Sequence, residues 1–192
     1  MNLTIEKCLQ AWTNSFKQMN AKADIVFFGD SLTYYGDFSS VFPDKVVCNL
    51  GLRGDSIQGM IERVEQVKLL EPKVVYLMAG INDVAICTPS QFEVRYDLLI
   101  RSILEQTWNA ELIVQSILPV NDVDYHISCN NEQIVLCNSI IKSLVNKYTL
   151  RYMDLSSHFL NGSVLYREIT EDGIHLTSSG YYKWYCLLKD KH

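Results

Sequence analysis

The feature that most constrains this chain is an alternation. Five short runs rich in β-branched and aromatic residues are separated by stretches with apolar residues at helical spacing. The runs are "DIVFFG" (24–29), "KVVCNLG" (45–51), "KVVYLMAG" (73–80), "ELIVQSILP" (111–119) and "LRYMDL" (150–155). Brief apolar runs bounded by turn residues predict buried strands. Ile57, Met60, Ile61, Val64 and Val67 predict one helix closed by Pro72, with Asp55 or Ser56 as its cap. Phe92, Tyr96, Leu99, Ile100, Ile103 and Leu104 predict another over 89–107, capped by Thr88 or Ser90. Ile134, Cys137, Ile140, Ile141, Leu144 and Val145 mark a third, and residues 178–189 a terminal one. Near the start, Ile5, Cys8, Leu9, Trp12, Phe16 and Met19 form an amphipathic stripe over 4–19. Alternation on this scale needs crossover connections, and crossovers give a mostly parallel sheet with helices on both faces. The expectation is one α/β sandwich domain over residues 1–192.

In open parallel sheets, ligands sit beyond the carboxyl ends of the strands. Polar clusters follow the first three predicted strands: "GDSL" (29–32), "NLGLRGDS" (49–56) and "GIND" (80–83). They therefore share one edge of the sheet. A fourth, "DGIH" (172–175), precedes the last helix. Ser31 stands one residue past a turn, at the unpaired N–H groups of a helix start, and reads either as a cap or as a nucleophile. A nucleophilic serine needs a base and an oxyanion hole. Among the four histidines, His192 is the last residue, while His126 and His158 fall in polar loops as surface or lining residues. His175 differs because Asp172 lies three residues before it. In a turn, that carboxylate can accept from Nδ1–H and leave Nε2 for the serine proton. The competing reading is an Asp that caps local N–H groups beside a surface histidine. The Ser31 N–H, the Gly51 N–H and the Asn82 amide are candidate donors for the hole. Taken singly, Gly51 and Asn82 read equally well as turn formers. Tyr34, Tyr35, Asp30 and the segment 119–130 are candidates to flank a substrate.

In order along nearly the whole chain, "GDSLT" (29–33), "NLGLRG" (49–54), "GIND" (80–83) and "DGIHLTSSGY" (172–181) resemble the four signature blocks of the GDSL, or SGNH, hydrolases. The similarity is greatest to the compact branch that includes platelet-activating-factor acetylhydrolase-like proteins and carbohydrate acetylesterases. The resemblance implies a flavodoxin-like, three-layer α/β/α fold with about five strands. It implies ester hydrolysis by a Ser31–His175–Asp172 triad with an oxyanion hole of Ser31, Gly51 and Asn82, and no metal or organic cofactor. Asp30 and Asp83 also belong to the blocks and read as network and loop-holding residues. Leu176 departs from the proline that many relatives carry after the histidine, which leaves proton transfer undisturbed.

Composition narrows the alternatives. Apolar residues are 48% and charged residues 20%, an ordinary globular balance. A formal charge of −5 offers no basic footprint for nucleic acid. No stretch approaches the length of a membrane span. The six cysteines form no zinc-type spacing, and the start of the chain shows no secretory pattern, so a cytoplasmic setting is expected. Gly51, Gly54 and Gly59 do not make GxGxxG and no GxxxxGK[ST] occurs, so a nucleotide-binding flavodoxin-like module lacks its phosphate loop. The expected partner is a small-molecule ester, with homo-oligomer formation left open. The absence of a long apolar lid insertion favours a short acyl group over the long chain of a lysophospholipase or thioesterase.

Overall fold

A computed structural model describes residues 21–190. The amphipathic stripe expected over 4–19 lies outside the described residues. Each of the five predicted runs contributes a strand: β1 (Ile25–Gly29), β2 (Val47–Gly51), β3 (Val74–Met78), β4 (Glu111–Gln115) and β5 (Arg151–Met153). They pair in the order β2-β1-β3-β4-β5, and every pair is parallel. The helices are α1 (Ser31–Tyr34), α2 (Ile57–Glu62), α3 (Val64–Leu70), α4 (Ile81–Val84), α5 (Pro89–Gln106), α6 (Asn131–Lys147) and α7 (Ser178–Lys189). A short hairpin, β6 (Leu160–Asn161) and β7 (Val164–Leu165), stands apart from the main sheet.

Strand alternation sends side chains to both faces. Val26 and Phe28 of β1 join a core built with α2, α3, α5 and α6, whereas Ile25 and Phe27 join a second core with Trp184, Tyr181 and Leu188 of α7. In that second core, Phe27 stacks on Phe38 at 3.8 Å and on Tyr76 at 4.7 Å. The result is the three-layer α/β/α sandwich of the flavodoxin-like type.

The caps follow residue chemistry. Thr88 accepts from the Gln91 N–H and Gln91 returns the bond, which makes a capping box at α5; Asn130 and Gln133 do the same at α6. Ser56, rather than Asp55, caps α2. Two boundaries differ from expectation. The helix expected over Ile57–Val67 is two helices, broken at Arg63. The fourth strand stops at Gln115: the Ser116 N–H still donates to the Met153 carbonyl of β5, but from Ile117 the backbone finds other partners. Ile117 N–H donates to Asn138 Oδ1 and Val120 N–H to Asn131 Oδ1, both side chains of α6.

Strand order reverses at β1, with β2 on one side and β3 on the other. Such a switch point opens a crevice at the strands' carboxyl ends. The single-turn helices α1 and α4 begin there, directly after β1 and just after β3.

Candidate active site

The turn after β1 is set by Asp30. Its Oδ1 accepts the Leu32 N–H at 2.9 Å and caps α1. Asp30 is 1% exposed, and its Oδ2 is buried without a hydrogen-bond partner among the described residues. Burial pushes its carboxyl up to about 7 against the pull of the Leu32 N–H, and the Asp55 charge adds to the rise. Asp30 therefore does not line a substrate cavity, which corrects that expectation; its role in holding the turn agrees with the geometry. The turn presents Ser31, whose Oγ lies 2.9 Å from His175 Nε2.

His175 is held by its own loop. Asp172 Oδ2 lies 2.6 Å from Nδ1, while Oδ1 accepts the backbone N–H groups of Ile174 and His175 at 3.0 and 2.8 Å. Burial raises the Asp172 carboxyl, but these bonds outweigh it and leave it below the ordinary value. One carboxylate thus acts both as a local cap and as the partner of the imidazole, so the two sequence readings are not exclusive. The Thr170 hydroxyl donates to the His175 carbonyl and accepts the Gly173 N–H. The Asn121 N–H donates to the Gly173 carbonyl at 2.8 Å, and Tyr125 and Ile127 pack against Gly173. The segment 119–130 therefore packs against the loop that carries Asp172 and His175. His126 and His158 are exposed and outside the cavity lining.

The third part of the constellation departs from expectation. The Gly51 N–H donates to Asn49 Oδ1 at 2.8 Å, and Gly51 is absent from the lining of the cavity at Ser31. A Cβ on Gly51 would overlap the Tyr34 backbone, so this glycine serves close packing of β2 on α1. Gly54 takes the place expected of Gly51. It has φ +69°, lies beside Ser31, Asn82 and His175 in the lining, and its N–H has no partner among the described residues. Asn82 Nδ2 donates one hydrogen to the Asp55 carbonyl at 2.8 Å, which leaves the second free to point elsewhere. The same loop thus supplies a free N–H and aims an amide.

The cavity holds about 480 Å³ and is completed by Arg53, Ile81 and Ile174. Tyr35 meets His175 edge-on at 5.8 Å and Tyr34 meets Tyr35 edge-on at 5.1 Å; both are exposed, and neither belongs to the lining of the cavity, against the expectation that they flank a substrate.

Beneath the cavity, Arg63 is buried. It donates to Asp55 Oδ2 at 2.7 Å, to the Leu50 carbonyl at 2.9 Å and to the Gly29 carbonyl at 3.0 Å. Burial pushes Asp55 up and Arg63 down, and the ion pair opposes both shifts. Asp83 Oδ2 accepts the Ile57 N–H at 3.0 Å, tying α4 to α2. The sequence motifs did not single out Arg63 or Gly54; a glycine directly before the capped start of α2 was the available sign of the latter. Among the described residues, no group of three or more His, Cys, Asp or Glu side chains could hold a metal ion.

A family model for the GDSL-like lipase/acylhydrolase family matches residues 27–183, a span that contains all four motif blocks. The chain belongs to this family. As a GDSL-like acylhydrolase it is an ester hydrolase, and solved structures share its fold. A Streptococcus pneumonia protein, described provisionally as a platelet activating factor, superposes with a TM-score of 0.81 at 23% identity, covering 100% of this chain and 99% of that one. A GDSL-like lipase from Bacteroides thetaiotaomicron gives 0.76 at 20% identity, with 95% and 96% covered. An acetyl xylan esterase gives 0.74 at 21% identity, with 87% and 98% covered. No curated protein matches the sequence. Among the described residues, no helix is long and apolar enough to cross a membrane.

Proposed function

We propose that this GDSL-like hydrolase is a single esterase domain that removes short acyl groups, acetyl above all, from a carbohydrate or another polar alcohol. Ser31 is the nucleophile, His175 the general base and acid, and Asp172 the group that orients the imidazole. The observation that carries this reading is the unbroken relay from Ser31 Oγ to His175 Nε2 at 2.9 Å and from His175 Nδ1 to Asp172 at 2.6 Å.

In the first half-reaction, Ser31 Oγ attacks the ester carbonyl as its proton passes to Nε2. The tetrahedral oxyanion is held by the Ser31 N–H, the Gly54 N–H and the free hydrogen of Asn82 Nδ2. Collapse returns the carbonyl and expels the alcohol, which takes the proton from His175. In the second, water gives a proton to Nε2 and attacks the acyl-serine; the acid leaves and Ser31 regains its hydrogen. The net reaction is ester plus water to acid plus alcohol.

Support for a short acyl group comes from the cavity. Its apolar lining is limited to Ile81 and Ile174 beside polar groups, which suits acetyl better than a fatty chain. The acetyl xylan esterase among the fold relatives supports the same substrate class.

The test is a 4-nitrophenyl ester series from C2 to C12 with wild type and Ser31→Ala. The rate should peak at C2 or C4, and Ser31→Ala should lower kcat by roughly 10⁴–10⁶. A peak at C8 or longer would reject the short-acyl reading, and a Ser31→Ala rate within about tenfold of wild type would reject the nucleophile.

A further inference from the structure

Arg53 is a charged side chain that lines the catalytic cavity without an ionic partner. Every other arginine is paired: Arg63 with Asp55, Arg95 with Asp83, Arg101 with Asp97, Arg151 with Glu111 and Arg167 with Asp124. Arg53 has no carboxylate within ion-pair distance among the described residues. Its guanidinium carbon instead lies 5.7 Å from the centre of the Tyr35 ring, the ring that meets His175 edge-on. Arg53 is exposed, and its guanidinium lies against that ring while remaining open to solvent.

The cavity lining around Ser31 contains no carboxylate. A second hollow of about 300 Å³ adjoins it, and Arg53 and Gly54 line both. Of the two carboxylates in that second hollow, Asp55 is paired with Arg63, whereas Glu62 accepts from the neutral Gln58 amide at 3.0 Å and keeps its charge outside the lining of the first cavity. At the wall shared by the two hollows the charged side chain is therefore Arg53, and it is positive. In a chain of formal charge −5, such a cation is the local exception.

We infer that Arg53 is a specificity-determining residue that binds an anionic substituent, carboxylate or phosphate, on the alcohol part of the ester. The inference rests on the ester-hydrolase reading above and adds the substrate's charge to it. The guanidinium presents a planar fork of donors that matches either anion with two parallel hydrogen bonds. The acyl side is the less suitable place for that charge, because a short acyl group ends within the cavity. The alcohol extends past the rim, where Arg53 stands between the two hollows.

The test uses three mono-O-acetyl methyl glucosides that carry the acetyl group at the same position. They differ only at C6: a hydroxymethyl group, a carboxylate, or a phosphate ester. Acetate release gives kcat/KM for wild type, Arg53→Gln and Arg53→Lys, and the mutant-to-wild-type ratio cancels intrinsic ester reactivity. The wild type should favour a charged substrate. Arg53→Gln should lower kcat/KM for that substrate by roughly 10- to 100-fold more than for the neutral one, the range expected of a hydrogen-bonded charge pair. Arg53→Lys should fall between, and added salt should shrink the preference. Whether the loss falls on the carboxylate or the phosphate arm identifies the anion. Fluorophosphonate labelling of Ser31 in each variant checks that the triad is intact. An equal loss on all three substrates would assign Arg53 to the reaction itself and overturn the inference. So would turnover of 4-nitrophenyl acetate with no wild-type preference for a charged sugar, while leaving the hydrolase reading in place. Failure to turn over any ester would remove both.

Discussion

Gly51 ends β2 and Gly54 lies in the loop that follows, and their missing side chains permit different things. At Gly51 the space is taken by the Tyr34 backbone, which cannot swing aside. At Gly54 a methyl group would meet nothing within 4 Å, and the constraint is the positive φ of +69°. Gly51→Ala should therefore act on stability, lowering it by about 1–3 kcal/mol through forced displacement of α1. Asn82→Ala should act on turnover, lowering kcat by roughly 10²–10³ with little change in melting temperature, since its amide faces the cavity and its backbone remains in α4. Thermal melts beside steady-state kinetics separate the two; a Gly51→Ala protein of unchanged stability would rule out the packing role. The distinction was not legible in "NLGLRG". Both glycines occupy plausible turns in the sequence, and only the Asn49 side chain, which accepts the Gly51 N–H, removes that donor from consideration.

At the level of elements, the break between α2 and α3 turns Arg63 inward beneath the ends of β1 and β2. There it satisfies the Gly29 and Leu50 carbonyls and pairs with Asp55, whose own carbonyl orients Asn82. One buried guanidinium thus links the strand ends to the loop that carries Gly54 and holds Asn82. Arg63→Met leaves the Asp55 charge buried and two carbonyls without this donor, so it should cost about 3–5 kcal/mol in urea unfolding. A loss below about 1 kcal/mol would show that the network is dispensable. Periodicity revealed the apolar positions along this stretch but not the break, because Ile57, Met60, Val64 and Val67 keep one helical stripe across it; Thr88 was one of two candidate caps for α5, and the Asn130 cap of α6 was not singled out. The early end of β4 escaped notice for a related reason. Residues 116–120 are as apolar and as buried as a strand, and only the Asn131 and Asn138 side chains, which bond their backbone, make a separate path.

Across the whole molecule, the strand–helix alternation foretold the parallel sheet and the shared edge of "GDSL" and "GIND", because the strand ends define that edge. The approach of His175 to Ser31 depended on a loop far along the chain and was legible through motif resemblance rather than through periodicity. The same assembly buries Asp30, Asp55 and Asp83 near the strand ends, and burial raises all three carboxyls, Asp30 to about 7. The native state then holds more protons than the unfolded chain between about pH 4 and pH 7, so stability should fall as pH rises through that window. Melting temperature should be lower at about pH 7.5 than at about pH 5, and Asp30→Asn, which keeps an acceptor for the Leu32 N–H, should flatten the decline. A melting temperature that rises over that interval would be incompatible with the assignment.

The proposed chemistry depends on Ser31 and His175 working against a cradle formed by the Ser31 N–H, the Gly54 N–H and Asn82. A crystal structure of the protein inactivated by a methyl fluorophosphonate tests that proposal. Phosphorus should be bonded to Ser31 Oγ, with the phosphonyl oxygen about 3 Å from each of those three donors. An adduct on another residue, no adduct, or an oxygen turned toward Gly51 would refute the arrangement.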